Sequence, residues 1–208
     1  MALRVLLVRH AETAWNREGR YQGWTDTALS ETGRAQADAV GRLLAVEPLA
    51  AVWSSPLRRA ADTAAAIAAP FGLPVRLSEA FKEMRLGEWE GLTVAEVSAR
   101  FPDQHRGWLD QPHLASWPGA ETLDDVRRRV LAGLDDLRLA HDGQVVCLVT
   151  HGVSSRILIL EALGLGPDRL WSLQVSPSGV SELEFRDDWT ALHRMNTLVH
   201  LDAVPAPR

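Results

Sequence analysis

The sequence predicts an α/β domain built as a three-layer αβα sandwich, with a mostly parallel central sheet and helices on both faces. Three observations carry this expectation. Leu3–Val8 (LRVLLV) and Val145–Thr150 (VVCLVT) are short, almost entirely apolar and rich in β-branched residues, as strands covered on both faces should be. Segments of helical spacing alternate with such strands along the chain. No long repeat, low-complexity block or linker interrupts the 208 residues, so residues 1–208 are expected to form a single domain.

The elements follow in order. Leu3–Val8 is the first strand. Ser30 caps a helix through about Val46, in which Ala37, Val40, Leu43 and Leu44 recur at helical spacing. Leu49–Trp53 is a shorter strand. Ser55-Pro56 reads as a cap followed by proline at the first helical position, opening a helix through about Ala68. Thr93-Val94-Ala95-Glu96 has the form of a capping box. Thr122 opens a longer helix with Leu123, Val126, Val130, Leu134 and Leu137 on one face. After Val145–Thr150, a last helix runs from about Val153 to Leu163 and stops at Gly164. Val180–Phe185 and Thr190–Met195, joined through Arg186–Trp189, read as a hairpin.

Composition narrows the function. The formal charge of −5 argues against a nucleic-acid partner, whose backbone would require a basic face. It leaves room for a small anion in a local cationic pocket. The single cysteine, Cys147, lies in an apolar run and reads as packing rather than as a nucleophile, with no disulfide possible within the chain. No segment approaches the roughly 20 apolar residues of a membrane span, and the N-terminal apolar stretch is too short for a signal peptide. The expectation is a soluble cytoplasmic protein without a membrane partner, monomeric or homodimeric.

Chemistry gathers where strands end. In an open α/β sheet, ligands bind beyond the carboxyl ends of the strands. The first strand ends in Arg9-His10. The second leads through Ser54-Ser55-Pro56 to Arg58 and Arg59. The late strand ends in Thr150-His151-Gly152 with a helix directly behind. Two histidines beside arginines make a poor metal site, because fixed cations repel the ion. A serine nucleophile would need a G-x-S-x-G turn, which is absent. A cationic pocket faced by helix N-termini suits a phosphate dianion, and an imidazole within it can act as a nucleophile toward phosphorus. Neighbouring positive charge would keep His10 unprotonated near neutral pH. The leaving alcohol then needs a carboxylic acid as proton donor. Glu12, Glu83, Glu88, Glu90 and Glu121 are candidates, and spacing alone does not choose among them.

These residues carry a family resemblance. Leu7–Thr13 (LVRHAET) with Trp15-Asn16 resembles the RHG-E-T signature of the histidine phosphatase superfamily, the phosphoglycerate-mutase-like proteins. The likeness continues through Gln22-Gly23, Leu29–Gly33 (LSETG), Ser54–Ala60 (SSPLRRA) with Thr63-Ala64, and Glu83–Gly91 (EMRLGEWEG). Pro118–Glu121 (PGAE) and Val149–Gly152 (VTHG) with Arg156 complete it. Each block is weak alone; in this order they are highly specific. The resemblance implies that His10 is phosphorylated, that Arg9, Arg59 and His151 hold the phosphoryl group, and that Asn16, Gln22 and Gly152 help to bind it. It implies that Glu83 donates the proton, with no metal and no organic cofactor. One departure stands out: Ala11 occupies a place usually taken by glycine, and a positive φ there would strain the loop.

A small lid insertion over the site is expected at about residues 81–120, and its composition offers an apolar rim. Trp108, Leu109, Leu114 and Trp117 are its candidate apolar rim. Its compact form resembles the phosphatase branch, so the expected activity is hydrolysis of small phosphorylated metabolites. The alternatives are a phosphoglycerate mutase or a specific α-ribazole phosphatase. Arg127-Arg128-Arg129 read as solvated or rim charges.

Overall fold

A computed structural model describes residues 2–204. The elements are β1 (Leu3–Arg9), α1 (Ala14–Arg17), α2 (Glu31–Leu44), β2 (Leu49–Ser54), α3 (Arg58–Ala68), β3 (Val75–Leu77), α4 (Val94–Arg100), α5 (Pro102–Asp110), α6 (Leu123–Ala140), β4 (Val145–Thr150), α7 (Gly152–Ala162), β5 (Val180–Phe185) and β6 (Thr190–Thr197). They build one six-stranded sheet in the order β3-β2-β4-β1-β5-β6. The first four strands of that order are parallel, and the β5–β6 hairpin closes one side antiparallel.

Alternation along the central strands makes the three layers. Leu3, Val5 and Leu7 of β1 and Val146 and Leu148 of β4 pack on Val126, Val130 and Leu137 of α6 and Ile157 of α7. Leu6, Val8, Cys147 and Val149 point to the other face, against Val40 and Leu44 of α2 and Ala60, Ala64 and Ile67 of α3. Each fully buried Val, Leu or Ile contributes about 1.5–3 kcal/mol, so both faces are strongly specified. The capping expectations hold at three helices. Ser30 accepts from the Gly33 N–H, and Thr93 and Thr122 form reciprocal boxes with Glu96 and Asp125.

Several local expectations need correction. α3 starts at Arg58 with Leu57 at its N-cap, so Ser55 does not cap it. The Ser55 hydroxyl is instead engaged by the ring of His151, 2.8 Å away. β3 was not legible because it has three residues and follows Pro74. α5 begins at Pro102, where the missing N–H has no helical partner to lose. The rim expectation fails for three of its four residues. Trp117 is 6% exposed and stacks on Trp89 at 3.9 Å between ring centres, as core of the 81–120 segment. Leu109 and Leu114 are exposed, but neither lines the cleft described below. Trp108 is 2% exposed, edge-on to Trp117, and does reach the cleft.

Among the described residues no helix is long and apolar enough to cross a membrane.

The loop after β1 is held by close backbone packing. The Ser30 N–H donates to the Glu12 carbonyl at 2.9 Å. A Cβ on Gly33 would stand 1.9 Å from that same oxygen, so the first turn of α2 can approach only as glycine. Gly33→Ala is therefore expected to destabilise the protein by about 1–3 kcal/mol, read as a lowered urea midpoint. An unchanged midpoint would contradict this packing.

Candidate active site

Backbone register brings the chemistry together. Arg9 pairs with Thr150 at the end of β1–β4, and Ser54 pairs with Val149 in β2–β4. The pairing extends one residue further: the His10 N–H donates to the Thr150 carbonyl (2.9 Å) and the Ser55 N–H to the Val149 carbonyl (3.0 Å). Three chain segments thus leave the sheet side by side. The rings of His10 and His151 lie 5.1 Å apart, centre to centre.

Hydrogen bonds set what each ring offers. His10 Nδ1 lies 2.8 Å from the Ala11 carbonyl oxygen, an acceptor only, so Nδ1 carries the proton and Nε2 keeps its lone pair. Ser55 Oγ accepts from the Leu57 N–H at 3.2 Å and lies 2.8 Å from His151 Nε2. Nε2 is the one acceptor within reach of that hydroxyl among the described hydrogen bonds, so a Ser55 hydroxyl that donates there puts the His151 proton on Nδ1. That Nδ1 is buried and has no hydrogen-bond partner among the described residues. One ring offers a lone pair, and its neighbour offers a donor.

Three guanidinium groups surround them. Arg59 is fully buried and donates to the carbonyls of Thr25 (2.9 Å) and Gly23 (2.7 Å). Its neighbour Arg58 faces solvent beside Asp62, as a helical turn of about 100° per residue requires. Arg9 donates to the Val175 carbonyl at 2.7 Å. Arg156 donates to the carbonyls of Leu173 (3.0 Å) and Gly152 (3.1 Å). Carbonyls orient these cations without neutralising them. Burial above all, with the neighbouring charges behind it, sets how these groups ionise. Burial, more than it is offset by Glu83, lowers Arg9 and Arg59 to about 10, and Arg9 is pushed further by Arg156 and Arg59. Burial first, then Arg59 and Arg9, holds His10 well below the ordinary histidine value. Burial, then Arg59, His10, Arg9 and Arg129, does the same to His151.

Tertiary structure also separates the five carboxylates. Glu12 accepts from the Ser30 hydroxyl (2.7 Å), Glu90 accepts from the Trp24 N–H (3.1 Å) and Thr25 hydroxyl (2.7 Å), and Glu121 pairs with Arg129 (2.8 Å). Glu88 is exposed. Glu83 alone of the five lines the cleft. Its Oε1 accepts from the backbone N–H groups of Met84 (2.9 Å) and Val153 (3.1 Å), the latter in the first turn of α7. Gly152 lets these groups converge. A Cβ there would stand 3.4 Å from Arg156 Nη1, 3.5 Å from Glu83 Oε2 and 3.7 Å from Arg9 Cζ.

Arg9, His10, Asn16, Gln22, Arg59, Glu83 and Gly152 line one cleft of about 190 Å³, and the buried His151 lies directly against His10. All eight residues singled out from the sequence are therefore together. Asn16 Oδ1 accepts from the Thr13 N–H (2.9 Å), and Gln22 Oε1 lies 2.6 Å from the Thr27 hydroxyl. Both oxygens are tied back, which leaves the amide NH₂ groups as the ends that can serve an anion. Ala11 carries no strain. It is fully buried, and only Ser178 and Asn196 have positive φ among the described non-glycine residues. Its N–H donates to Thr63 Oγ1 at 3.0 Å.

The sequence reading missed Tyr21, Leu86 and Trp171 in the cleft wall and gave Arg156 no role. A signal existed for Arg156, which lies four residues beyond Gly152 and so on the same helical face. Trp171 sits in a short 3₁₀ segment without periodicity to flag it. Arg129, read as a solvated charge, is turned inward onto backbone carbonyls. Among the described residues no three His, Cys, Asp or Glu side chains group as metal ligands.

The depressed histidines have a measurable consequence. A histidine kept neutral in the fold binds fewer protons than in the unfolded chain below about pH 6.5, so its stabilisation is present above that value and lost as pH falls. His10 and His151 should each add a slope that rises to at most about 1.4 kcal/mol per pH unit as pH falls below that value. Urea unfolding from pH 7.5 to 5 should therefore show a shallower pH dependence in a His10→Asn/His151→Asn double variant than in the wild type. Equal slopes would contradict the buried neutral pair.

Comparison with known proteins agrees with this geometry. Residues 5–198 match the model of the histidine phosphatase superfamily (branch 1). The chain is 35% identical over 199 residues to phosphoserine phosphatase 1 of Hydrogenobacter thermophilus, covering 96% of this chain and 94% of that protein. Among solved structures, Bacillus stearothermophilus YhfR superposes with a TM-score of 0.91 at 32% identity, over 96% of this chain and 99% of that one. The mycobacterial glucosyl-3-phosphoglycerate phosphatase superposes with a TM-score of 0.86 at 30% identity, over 95% and 100%. Two histidines at adjoining strand ends, ringed by arginines, thus come with a matching sequence model and matching folds: the chain belongs to the histidine phosphatase superfamily.

Proposed function

We propose that this protein is a phosphomonoesterase that hydrolyses small phosphorylated metabolites through a phosphohistidine on His10. The observation that carries the reading is the pairing of a lone-pair nitrogen, His10 Nε2, with three guanidinium groups oriented by carbonyls around it. Such a site suits a dianion, and a phosphoryl group is one. Phosphatases named among the similar proteins support hydrolysis.

In the first step His10 Nε2 attacks phosphorus, and the bond from phosphorus to the ester oxygen breaks. That oxygen takes its electron pair and receives the proton of the Glu83 carboxyl, so the alcohol departs neutral. Arg9, Arg59 and the His151 Nδ1–H stabilise charge spread over the transferring oxygens, helped by the amides of Asn16 and Gln22. In the second step the Glu83 carboxylate takes a proton from water as its oxygen attacks phosphorus. The N–P bond breaks, the lone pair returns to Nε2, and inorganic phosphate leaves.

The cleft volume of about 190 Å³ lies below the range of roughly 300–1,000 Å³ for sites that enclose drug-sized ligands, which favours a compact substrate. The 81–120 segment supplies Glu83, Leu86 and Trp108 to the cleft wall and acts in this reading as its lid. A mutase would use the same two residues but return the phosphoryl group to a hydroxyl. One incubation with 3-phosphoglycerate, scored for both 2-phosphoglycerate and inorganic phosphate, separates the two; release of phosphate should dominate. His10→Ala should abolish turnover on a panel of sugar, glycerol, α-ribazole and aryl phosphates. Glu83→Gln should lower kcat by about 10²–10⁴ while changing inhibition by inorganic phosphate far less. An unchanged kcat would remove Glu83 from the mechanism.

A further inference from the structure

Glu83 leaves the backbone in a stretch without regular structure, between the 3₁₀ turn Glu79–Phe81 and Gly87. Side chains hold that stretch in place. Four consecutive carbonyls that lead into it, from residue 80 to residue 83, all accept from side-chain donors. Thr150 Oγ1 reaches the Phe81 carbonyl (2.7 Å), Ser154 Oγ the Lys82 carbonyl (2.6 Å), and Trp24 Nε1 the Glu83 carbonyl (2.7 Å). Arg129 reaches three of the four. Its Nη1 donates to Ala80 (2.9 Å) and Lys82 (2.6 Å), and its Nη2 donates to Glu83 (2.9 Å).

The remaining donors of Arg129 go to Glu121, Nε to Oε1 (2.8 Å) and Nη2 to Oε2 (2.9 Å). All five N–H donors of the guanidinium are therefore engaged. Glu121 is tied in turn to the far side of the same loop, accepting from the Arg85 N–H at 2.8 Å and donating its own N–H to the Arg85 carbonyl at 2.9 Å. The fork closes a bracket from residue 80 to residue 85, with Glu83 at its centre.

We propose that Arg129, held by Glu121, is the positioning residue for Glu83: it fixes the carboxyl through the backbone so that it meets the leaving oxygen. This rests on the reading of Glu83 as proton donor. The function belongs to the fork rather than to the charge, because lysine has three donors in no fixed plane and cannot reproduce five. Displacing a reacting group by about 1 Å costs on the order of 10²-fold in rate.

The test uses leaving groups of different need. An alkyl phosphate such as glycerol phosphate requires protonation of its departing oxygen, whereas p-nitrophenolate leaves with little help. The first irreversible step is read as kcat/KM for both substrates in wild type, Glu83→Gln, Arg129→Lys, Arg129→Met and the milder Glu121→Gln. Both Arg129 variants should lose about 10²-fold on glycerol phosphate and less than about threefold on p-nitrophenyl phosphate, with inhibition by inorganic phosphate unchanged. Glu121→Gln should shift in the same sense by less. Near-wild-type activity of Arg129→Lys on glycerol phosphate overturns the proposal, as does an equal loss on both substrates. If Glu83→Gln itself shows no dependence on the leaving group, the assignment of Glu83 as donor has failed. If Glu83→Gln shows it and the Arg129 variants do not, the bracket alone has failed.

Discussion

The structure turns on buried positive charge that its own carboxylates leave largely unneutralised. Arg9, Arg59 and Arg156 are steered by the carbonyls of Val175, Thr25, Gly23, Leu173 and Gly152, groups that accept hydrogen bonds without cancelling charge. Only Glu83 opposes them within the cleft, and its carboxylate is already engaged by the backbone of Met84 and Val153. Burying such groups is destabilising unless an ion completes the arrangement. An anion that binds the fold and not the unfolded chain returns that energy as affinity. The neutral state of both histidines follows from the same field, since burial and the neighbouring guanidiniums both oppose protonation.

Everything else in the fold serves to hold that charge in place. Parallel pairing of β1, β2 and β4 in register is what sets His10, Ser55 and His151 at one edge. The two apolar layers that clamp those strands come from successive residues pointing to opposite faces, so that residues two apart share a layer. The 81–120 segment has its own aromatic core, in which Trp89 stacks on Trp117 and Trp108 meets both Trp117 and Trp171 edge-on. Trp171 and Trp108 both reach the cleft, so the ladder connects the cleft wall to the interior of the 81–120 segment.

The strands other than β3, and the long helices, were legible because their signals are local: β-branched apolar runs, helical spacing and side-chain caps. The meeting of His10, Arg9, Arg59 and His151 was legible as well, since strand ends in such a sheet share an edge. Other features depend on tertiary partners. Ser55 looks like a helix cap in sequence, but its hydroxyl serves His151. Trp117 looks like rim by position and is core because Trp89 lies over it. Arg129 sits in a run of three arginines, and nothing within that run distinguishes the one that turns inward. Spacing did not separate Glu83 from four other carboxylates, although the family resemblance pointed to it; the physical separation needs the positions of Ser30, Thr25 and Arg129, which occupy Glu12, Glu90 and Glu121, and the exposure of Glu88.

The most direct measurement of the account is capture of the covalent state. Wild-type protein mixed with a ³²P-labelled phosphomonoester and quenched within the first turnover should carry label that is stable to alkali and lost in acid. Peptide mapping should place that label on His10. A quenched enzyme that turns over substrate with no labelled protein, or with the label on His151 or a carboxylate, would contradict the account.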